Sequence, residues 1–325
     1  MSVRGMYIGS VIMVLAIFLA GTADAQNGPY DWAEDAFTCY KAKQNKIMPK
    51  LAKGTQATLG DTFGSSAQDV KKRGGLCVPA DQDGSSAADQ GTLLIGFKIK
   101  AAKGQPKHSP QSNLRIFNAF GDIRFDTKKG ALLLNPAAFG NEAPVSGEHS
   151  VDNFKCYKGK VTKGTPKFVK GIKTNLGDAL EDARDFDVKG PKLLCAASSN
   201  GEDGIKNADG ALLCYKIKAA KGEPKATPQS MIETTDGFGL TRMDTKKEDL
   251  LCVPSLISPP DEFCGDGVTN QSEECDGSGA DCFGGNGLCS SDCTCTTCGN
   301  GQIDSGEVCD VGVGCDFEAE SCDAC

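Results

Sequence analysis

Cysteine is the residue type that dominates what this chain can do chemically. There are 17 in 325 residues, against only two histidines, His108 and His149. Cys39, Cys77, Cys156, Cys195, Cys214 and Cys252 are widely spaced. Cys264, Cys275, Cys282, Cys289, Cys293, Cys295, Cys298, Cys309, Cys315, Cys322 and Cys325 crowd the C-terminal end. Thiols at this density point to disulfides made in an oxidising compartment rather than to zinc ligands or nucleophiles. Zinc at Cys293, Cys295 and Cys298 is set aside because oxidation should claim those thiols first. Nucleophilic catalysis by Ser or Cys needs a base, and there is almost no histidine to recruit. His108 lies in a duplicated stretch whose other copy carries Ala226, and His149 lies in a linker. No GxSxG, HExxH or GxxxxGK[ST] motif occurs. A carboxylate pair of the glycosidase kind requires only Asp and Glu and stays open.

Two other groups of charged residues invite chemistry. Residues 97–112, FKIKAAKGQPKHSPQS, recur as YKIKAAKGEPKATPQS at 215–230, identical at twelve of sixteen positions. Their lysines, Lys98, Lys100, Lys103, Lys216, Lys218 and Lys221, could form a ridge that contacts a polyanion. The plainer reading is a solvated strand face whose charges discourage edge-to-edge pairing. Near the C-terminus Asp266, Glu273 and Asp276 offer the hard oxygen ligands calcium takes, but their spacing is not that of an EF-hand loop. Solvated turns are the plainer reading of them, and no cofactor is otherwise expected.

The duplicated stretch belongs to a larger repeat. Units at 37–80, 153–199 and 211–255 are each framed by two cysteines, 38, 39 and 38 residues apart. A further unit at 93–138 has Gly96 and Leu134 at the matching places, also 38 apart. Loss of both cysteines together strands no partner if the bond is internal to the unit. That predicts Cys39–Cys77, Cys156–Cys195 and Cys214–Cys252, with pairing between equivalent cysteines of different units left open. Every unit also carries an Asp eight residues before its second frame: Asp69, Asp126, Asp187 and Asp244. A residue of this kind most often closes a turn through backbone hydrogen bonds. Three units carry Phe-Gly shortly before it, at Phe63, Phe120 and Phe238.

Apolar and polar residues alternate through Leu213–Lys218, a strand pattern, and IRFDT and LLCVP read as further strands. No long helical stripe is visible, although 179–186 has room for a helical turn. The fold class expected is all-β. One unit of about 45 residues buries too little alone, so two tandem two-unit sandwich or barrel-like domains are expected. They would span 27–150 and 151–257 and join near Asn141–Asp152, with a linker at 258–263 and two small disulfide-rich repeats at 264–325.

The net charge of −8 conceals an asymmetry. From Ser258 to Cys325 there are fifteen Asp and Glu and no Lys or Arg, so the body before it is basic. The acidic end opposes nucleic-acid binding. Arg4, an apolar run over Met6–Gly21 and Ala23-Asp24-Ala25 form a secretory signal at residues 1–25, cleaved after Ala25. The run is short for a bilayer span, so no membrane span is expected in the mature protein.

The C-terminal stretches CGDGVTNQSEECDG, from Cys264, and CGNGQIDSGEVCDVG, from Cys298, have cysteine steps of 11, 7, 7, 4, 2 and of 11, 6, 7, 3. They resemble the Myxococcus-type cysteine-rich repeat of exported bacterial proteins, departing from it in SEECDG and in a final cysteine expected about two residues past Cys325. The CYK…LCVP units resemble a domain of unknown function from secreted bacterial proteins. Neither resemblance supplies catalytic residues. Together these readings point to a secreted or cell-surface, non-catalytic binding or structural protein with an extracellular polymer or protein partner. A carboxylate-dependent hydrolase, or an inhibitor built on the cysteine-rich end, is the alternative.

Overall fold

The computed structural model describes residues 35–201 and 204–258, with four two-residue strands near the C-terminus. Alternation decides the architecture. In β1 (Phe37–Gln44), Phe37 and Cys39 point to one side, Thr38 and Tyr40 to the other, and all four are buried. A strand buried on both faces must lie between two apolar layers. Each unit builds one strand of this kind, then a short strand, then a long one. The first unit adds β2 (Gln56–Asp61) and β3 (Gly64–Gln82). The second makes β4 (Leu93–Ala101), β5 (Leu114–Asn118) and β6 (Gly121–Phe139). The third makes β7 (Asn153–Val161), β8 (Lys173–Asp178) and β9 (Arg184–Ser199), and the fourth β10 (Gly210–Ala219), β11 (Ile232–Asp236) and β12 (Gly239–Ser258). Among the described residues the only helical turn is 3-10, at Ser146–Glu148, and the segment with room for a helical turn is the bend between β8 and β9.

All twelve strands join one sheet, and the sheet closes. Antiparallel pairing runs β1–β3–β4–β6–β7–β9–β10–β12 and returns from β12 to β1. The expectation of two tandem domains is therefore corrected. A pair of units alone would end in two exposed edges, and closing the fourth unit on the first removes them. The presumed junction near Asn141–Asp152 is the connection from β6 to β7 within one barrel.

The register fixes what fills the barrel. Cys39 faces Cys77 within its unit, but across the closure it faces Leu250, two residues short of Cys252. The same slip of two occurs at Cys77–Leu94, Leu134–Phe154 and Cys195–Leu212. Four slips of two give a stagger equal to the number of barrel strands. In that geometry alternate strands stack inward side chains in layers of four. One layer is Phe37, Leu94, Phe154 and Leu212. Below it come Cys77, Leu134, Cys195 and Cys252, then Cys39, Gly96, Cys156 and Cys214. Nearly all of these residues form one buried apolar cluster.

The disulfides are Cys39–Cys77, Cys156–Cys195 and Cys214–Cys252, each joining facing residues of neighbouring strands. They also touch one another: Cys39 Sγ is 3.5 Å from Cys252 Sγ, and Cys195 Sγ is 3.8 Å from Cys214 Sγ. The six sulfurs thus form a row around the lumen, interrupted where Gly96 and Leu134 stand. Shifting every bond to its other neighbour would leave Cys77 and Cys156 unpaired on either side of that gap. Only pairing within units uses all six.

The short strands fold over the outside. Each forms a hairpin with the start of its own long strand, and its tip pairs with a long strand two units away: β2 with β9, β8 with β3, β5 with β12 and β11 with β6. Two further apolar clusters lie between hairpins and barrel wall. One gathers Leu76, Val78, Ile95 and Phe97, the other Leu194, Leu213, Tyr215 and Val253. Each such side chain, fully buried, contributes about 1.5–3 kcal/mol.

Near the C-terminus, β13 (Leu288–Cys289) pairs with β14 (Cys295–Thr296), and β15 (Cys309–Asp310) with β16 (Gly314–Cys315). Cys264, Cys275, Cys282, Cys293, Cys298 and Cys322 lie outside the described residues, as do Asp266, Glu273 and Asp276.

The gap in the sulfur row is testable. Gly96 and Leu134 face each other, and a Cβ at Gly96 would meet only ordinary contacts, 3.5 Å from Gly75 Cα and from Leu134 Cδ2. The double variant Gly96→Cys/Leu134→Cys is expected to form a fourth bond and gain up to roughly 4 kcal/mol, less the loss of the leucine. With the row complete, both neighbour pairings use every sulfur. Some molecules refolded from the reduced state should then carry bonds between units. Thermal unfolding and non-reducing peptide mapping read both effects, and two free thiols in an intact barrel would refute the register.

Candidate anion-binding cleft

The lumen does not end in hydrophobic side chains at both ends. Two residues along each first strand from the framing position, parity again demands an inward side chain. Those residues are Lys41, Lys98, Lys158 and Lys216. They face Gly75, Leu132, Leu193 and Leu250 on the long strands. A ring of four lysines therefore sits over a floor of three leucines and a glycine. A small cavity of about 100 Å³ beneath reaches the disulfides Cys39–Cys77 and Cys214–Cys252. It shares Leu132, Leu193, Asp249 and Leu250 with an outer cleft of about 1480 Å³.

That cleft is strongly basic. Lys98, Lys100, Lys103, Lys107, Lys128, Lys129, Lys155, Lys158, Lys192 and Lys216 line it, against two carboxylates, Asp69 and Asp249. Asp249 is spoken for: it pairs with Lys216 and lies 3.3 Å from Lys41 Nζ. Asp69 pairs with Lys71 at 2.9 Å and accepts from Gln56 Nε2, and these bonds, Lys71 foremost, lower its pKa. Lys155 is buried, 3.6 Å from Asp61 Oδ2. The remaining lysines have no ion-pair partner among the described residues.

The sequence-predicted lysines are thus partly reunited. Lys98, Lys100, Lys103 and Lys216 line the cleft, and Lys218 and Lys221 do not. The two copies of the repeated stretch belong to units on opposite sides of the barrel, so they cannot form one ridge. Lys107, Lys128, Lys129, Lys155, Lys158 and Lys192 went unrecognised in the sequence. A signal for Lys158 was present, since it stands two residues after Cys156 and shares its parity.

At one end of the cleft His108 closes over Tyr157, with ring centroids 4.2 Å apart, and hydrogen-bonds Thr127 Oγ1 at 2.8 Å. Partial burial, with the Lys155 charge adding to it, lowers its pKa, so it is neutral at pH 7. His108 follows a Pro-Lys pair found in all four units, and its counterparts are Leu51, Phe168 and Ala226. Phe168 packs on Tyr215 as His108 packs on Tyr157. His108 therefore occupies a position that covers the aromatic ring beneath it.

Beneath these covers lies a lock that repeats around the barrel. Each hairpin tip begins with Asp61, Asn118, Asp178 or Asp236, whose Oδ1 accepts the N–H two residues on. The outer end of that side chain reaches the unit opposite. Tyr157 donates to Asp61 at 2.5 Å and Tyr40 to Asp178 at 2.7 Å, while Asn118 Nδ2 donates to Tyr215 at 2.9 Å. The fourth unit breaks the pattern because its partner is Phe97, which has no hydroxyl. Arg73 supplies the missing donor to Asp236 at 3.3 Å while lying over the Phe97 ring. Phe63, Phe120 and Phe238 of the Phe-Gly turns pack on Tyr157, Tyr215 and Phe97. Of the recurring Asp residues of the long strands, Asp126 and Asp244 accept the N–H of Asn113 and Met231, both at positive φ, whereas Asp69 and Asp187 pair with Lys71 and Lys189.

No family model, curated protein or solved structure matches this chain. Among the described residues no helix is long and apolar enough to cross a membrane, and no three His, Cys, Asp or Glu side chains gather to hold a metal.

Burial, with the nearby Glu248 charge adding to it, pushes Asp178 up to about 6 against hydrogen bonds from Tyr40 and two backbone N–H groups. The folded state then keeps a proton that the unfolded chain releases. Asp178 therefore costs no stability below about pH 4, its ordinary range. Stability falls as pH rises through 6, by on the order of 3 kcal/mol. Asp178→Asn should remove that fall and still hold Tyr40, as Asn118 holds Tyr215. Urea midpoints of variant and parent at pH 4 and 7 check the sign: relative to the parent, the variant gains stability at the higher pH.

Proposed function

We propose that this protein is an exported, non-catalytic binding protein whose basic cleft takes an acidic extracellular polysaccharide. The observation that carries the reading is the charge imbalance of the cleft, ten lysines against two aspartates that are themselves paired. Low-dielectric walls around like charges focus the field and favour capture of a polyanion. Export rests on the leader sequence, and the resemblance of the C-terminal repeats to those of exported bacterial proteins supports it.

The same cleft argues against hydrolysis. A general acid needs a carboxyl held protonated near neutral pH. Asp249 is ion-paired, and Asp69 is shifted the other way. The protonation-prone carboxyls Asp61, Asp178 and Asp236 are tied to Tyr157, Tyr40 and Arg73, and none of them lines the cleft. Between acidic polymers, a polysaccharide is favoured over nucleic acid. Base stacking needs exposed aromatic faces. The aromatic rings lining the cleft are Phe63, His108 and Tyr157; Phe63 and His108 are half-buried against each other, and Tyr157 is fully buried beneath both.

Titration calorimetry of the mature chain at physiological salt tests the proposal, with polygalacturonate and chondroitin sulfate as probes and neutral dextran as control. Both acidic polymers should bind and weaken as salt rises, and dextran should not bind. Lys100→Gln/Lys103→Gln/Lys107→Gln/Lys128→Gln should cost tenfold or more. Absence of acidic-polymer binding, or tighter binding of a single-stranded oligonucleotide, would overturn the reading, as would new reducing ends released from either polymer.

A further inference from the structure

The lysine ring is not evenly used, and its asymmetry has a pattern. Asp249 precedes Leu250 of the floor, and the same position in the other units holds Gly74, Ala131 and Lys192. One quarter of the mouth thus carries an acid, two carry almost no side chain, and one carries a further lysine. Asp249 binds Lys41 and Lys216, so a carboxylate already rests between two members of the ring. Lys98, Lys158 and Lys192, the remaining lysines of the mouth, have no ion-pair partner among the described residues. They line the cleft together with Leu132 and Leu193. The absence of a bulky side chain at Gly74 and Ala131 leaves the approach to them open. A Cβ at Gly74 would already stand 4.0 Å from Lys98 Cε.

We propose that Lys98, Lys158 and Lys192 form a subsite for a compact sulfate or phosphate monoester, with Asp249 as the internal counter-anion that keeps Lys41 and Lys216 out of it. The inference rests on the anion-binding reading of the cleft and adds what is recognised at its floor. Three lysines carried on three different strands, β4, β7 and β9, line the same cleft. A tetrahedral group with several equivalent oxygens satisfies such donors, and a planar carboxylate with one charge does so less well. Lysine suits the task because its three N–H bonds swivel to fit, whereas arginine presents a fixed fork. Leu132 and Leu193 beneath exclude water on one side, which strengthens each charge contact.

The test uses the mature chain with inorganic phosphate, glucose 6-phosphate and a chondroitin sulfate hexasaccharide, each followed by titration calorimetry. Lys98→Gln/Lys158→Gln/Lys192→Gln should weaken glucose 6-phosphate at least tenfold. Lys103→Gln/Lys107→Gln, on the rim, should change it less than twofold. Asp249→Asn frees two more lysines and should tighten it severalfold. Equal affinity for inorganic phosphate assigns the subsite to the free oxyanion, and tighter binding of the ester assigns it to a chain end; each supports the proposal. The proposal falls if the triple variant binds glucose 6-phosphate as the parent does, or if rim and ring variants lose it equally. Normal hexasaccharide binding without small-anion binding overturns the subsite and leaves the cleft standing. Loss of every probe in the parent overturns both.

Discussion

The hydrogen bonds between β12 and β1 are the constraint on which the rest depends, because without them there is no inside. An open sheet of these strands would expose the faces that carry cysteine and lysine, and nothing would bring the four units to a common axis. Once the sheet closes, with its slip of two residues at each junction, parity assigns the residues of the barrel wall up to the bulges at Gly74, Ala131, Lys192 and Asp249, where two successive residues share a side. Cys39, Gly96, Cys156 and Cys214 must share a level, and the lysines two residues further along must share the next open level. The disulfides and the basic mouth are consequences of one alignment. The disulfides then reinforce it, since each one joins the register partners that the closure brought together.

Closure alone would leave the outer faces of the wall wet. The hairpins cover them, and they do so by exchange between opposite units. Tyr40 of the first unit meets Asp178 of the third, while Tyr157 of the third meets Asp61 of the first. No unit can therefore be complete without the one across the barrel, which explains why two tandem halves are not separable. The cost of burying these carboxyls is visible in the upward pKa shifts of Asp61, Asp178 and Asp236. In the fourth position Phe97 lacks the hydroxyl, and a residue of a different unit, Arg73, takes over the role with a charge. Compensation of this kind shows that the polar contact at the hairpin tip is required even when its usual donor is missing, as the handling of buried polar groups demands.

Much of this was legible in the chain. The framing cysteines, the shared absence of both from the second unit, and the strand-like alternation through Leu213–Lys218 were enough for the all-β class and for pairing within units. Closure was not legible, because the pattern that reports on it is long-range. The high identity of 97–112 with 215–230 fits equivalent units of two tandem domains, yet it joins units that stand opposite one another in one barrel and exchange hairpins. The lysines showed the same divide. Those in the repeated stretch were visible as a local run, and they were sorted by a register that no local run contains. Lys218 pairs into the wall opposite Asp187, whereas Lys216, two residues earlier, reaches the mouth. Lys192 gave no signal at all, since its importance comes only from being the counterpart of Asp249.

Departures from four-fold repetition are where the molecule distinguishes one side of the mouth from another. The apolar layers tolerate substitutions that roughly keep volume, such as Leu94 for Phe37 or the facing pair Gly96 and Leu134 for a facing pair of cysteines, and these leave the lumen filled. At the mouth the substitutions change charge and bulk together: Gly74, Ala131, Lys192 and Asp249 stand in equivalent places with four different consequences. The covering positions vary likewise, with Leu51, His108, Phe168 and Ala226 presenting different surfaces above similar aromatic floors. Packing cannot account for Asp249 and Lys192, because both lie on the rim of an open cleft where a neutral residue would fit as well. A repeat maintained by its core would drift randomly there. Instead the drift is polarised, with the acid on the fourth unit and the extra base on the third. That leaves an anion one side of the ring to approach, the asymmetry on which the proposed subsite rests.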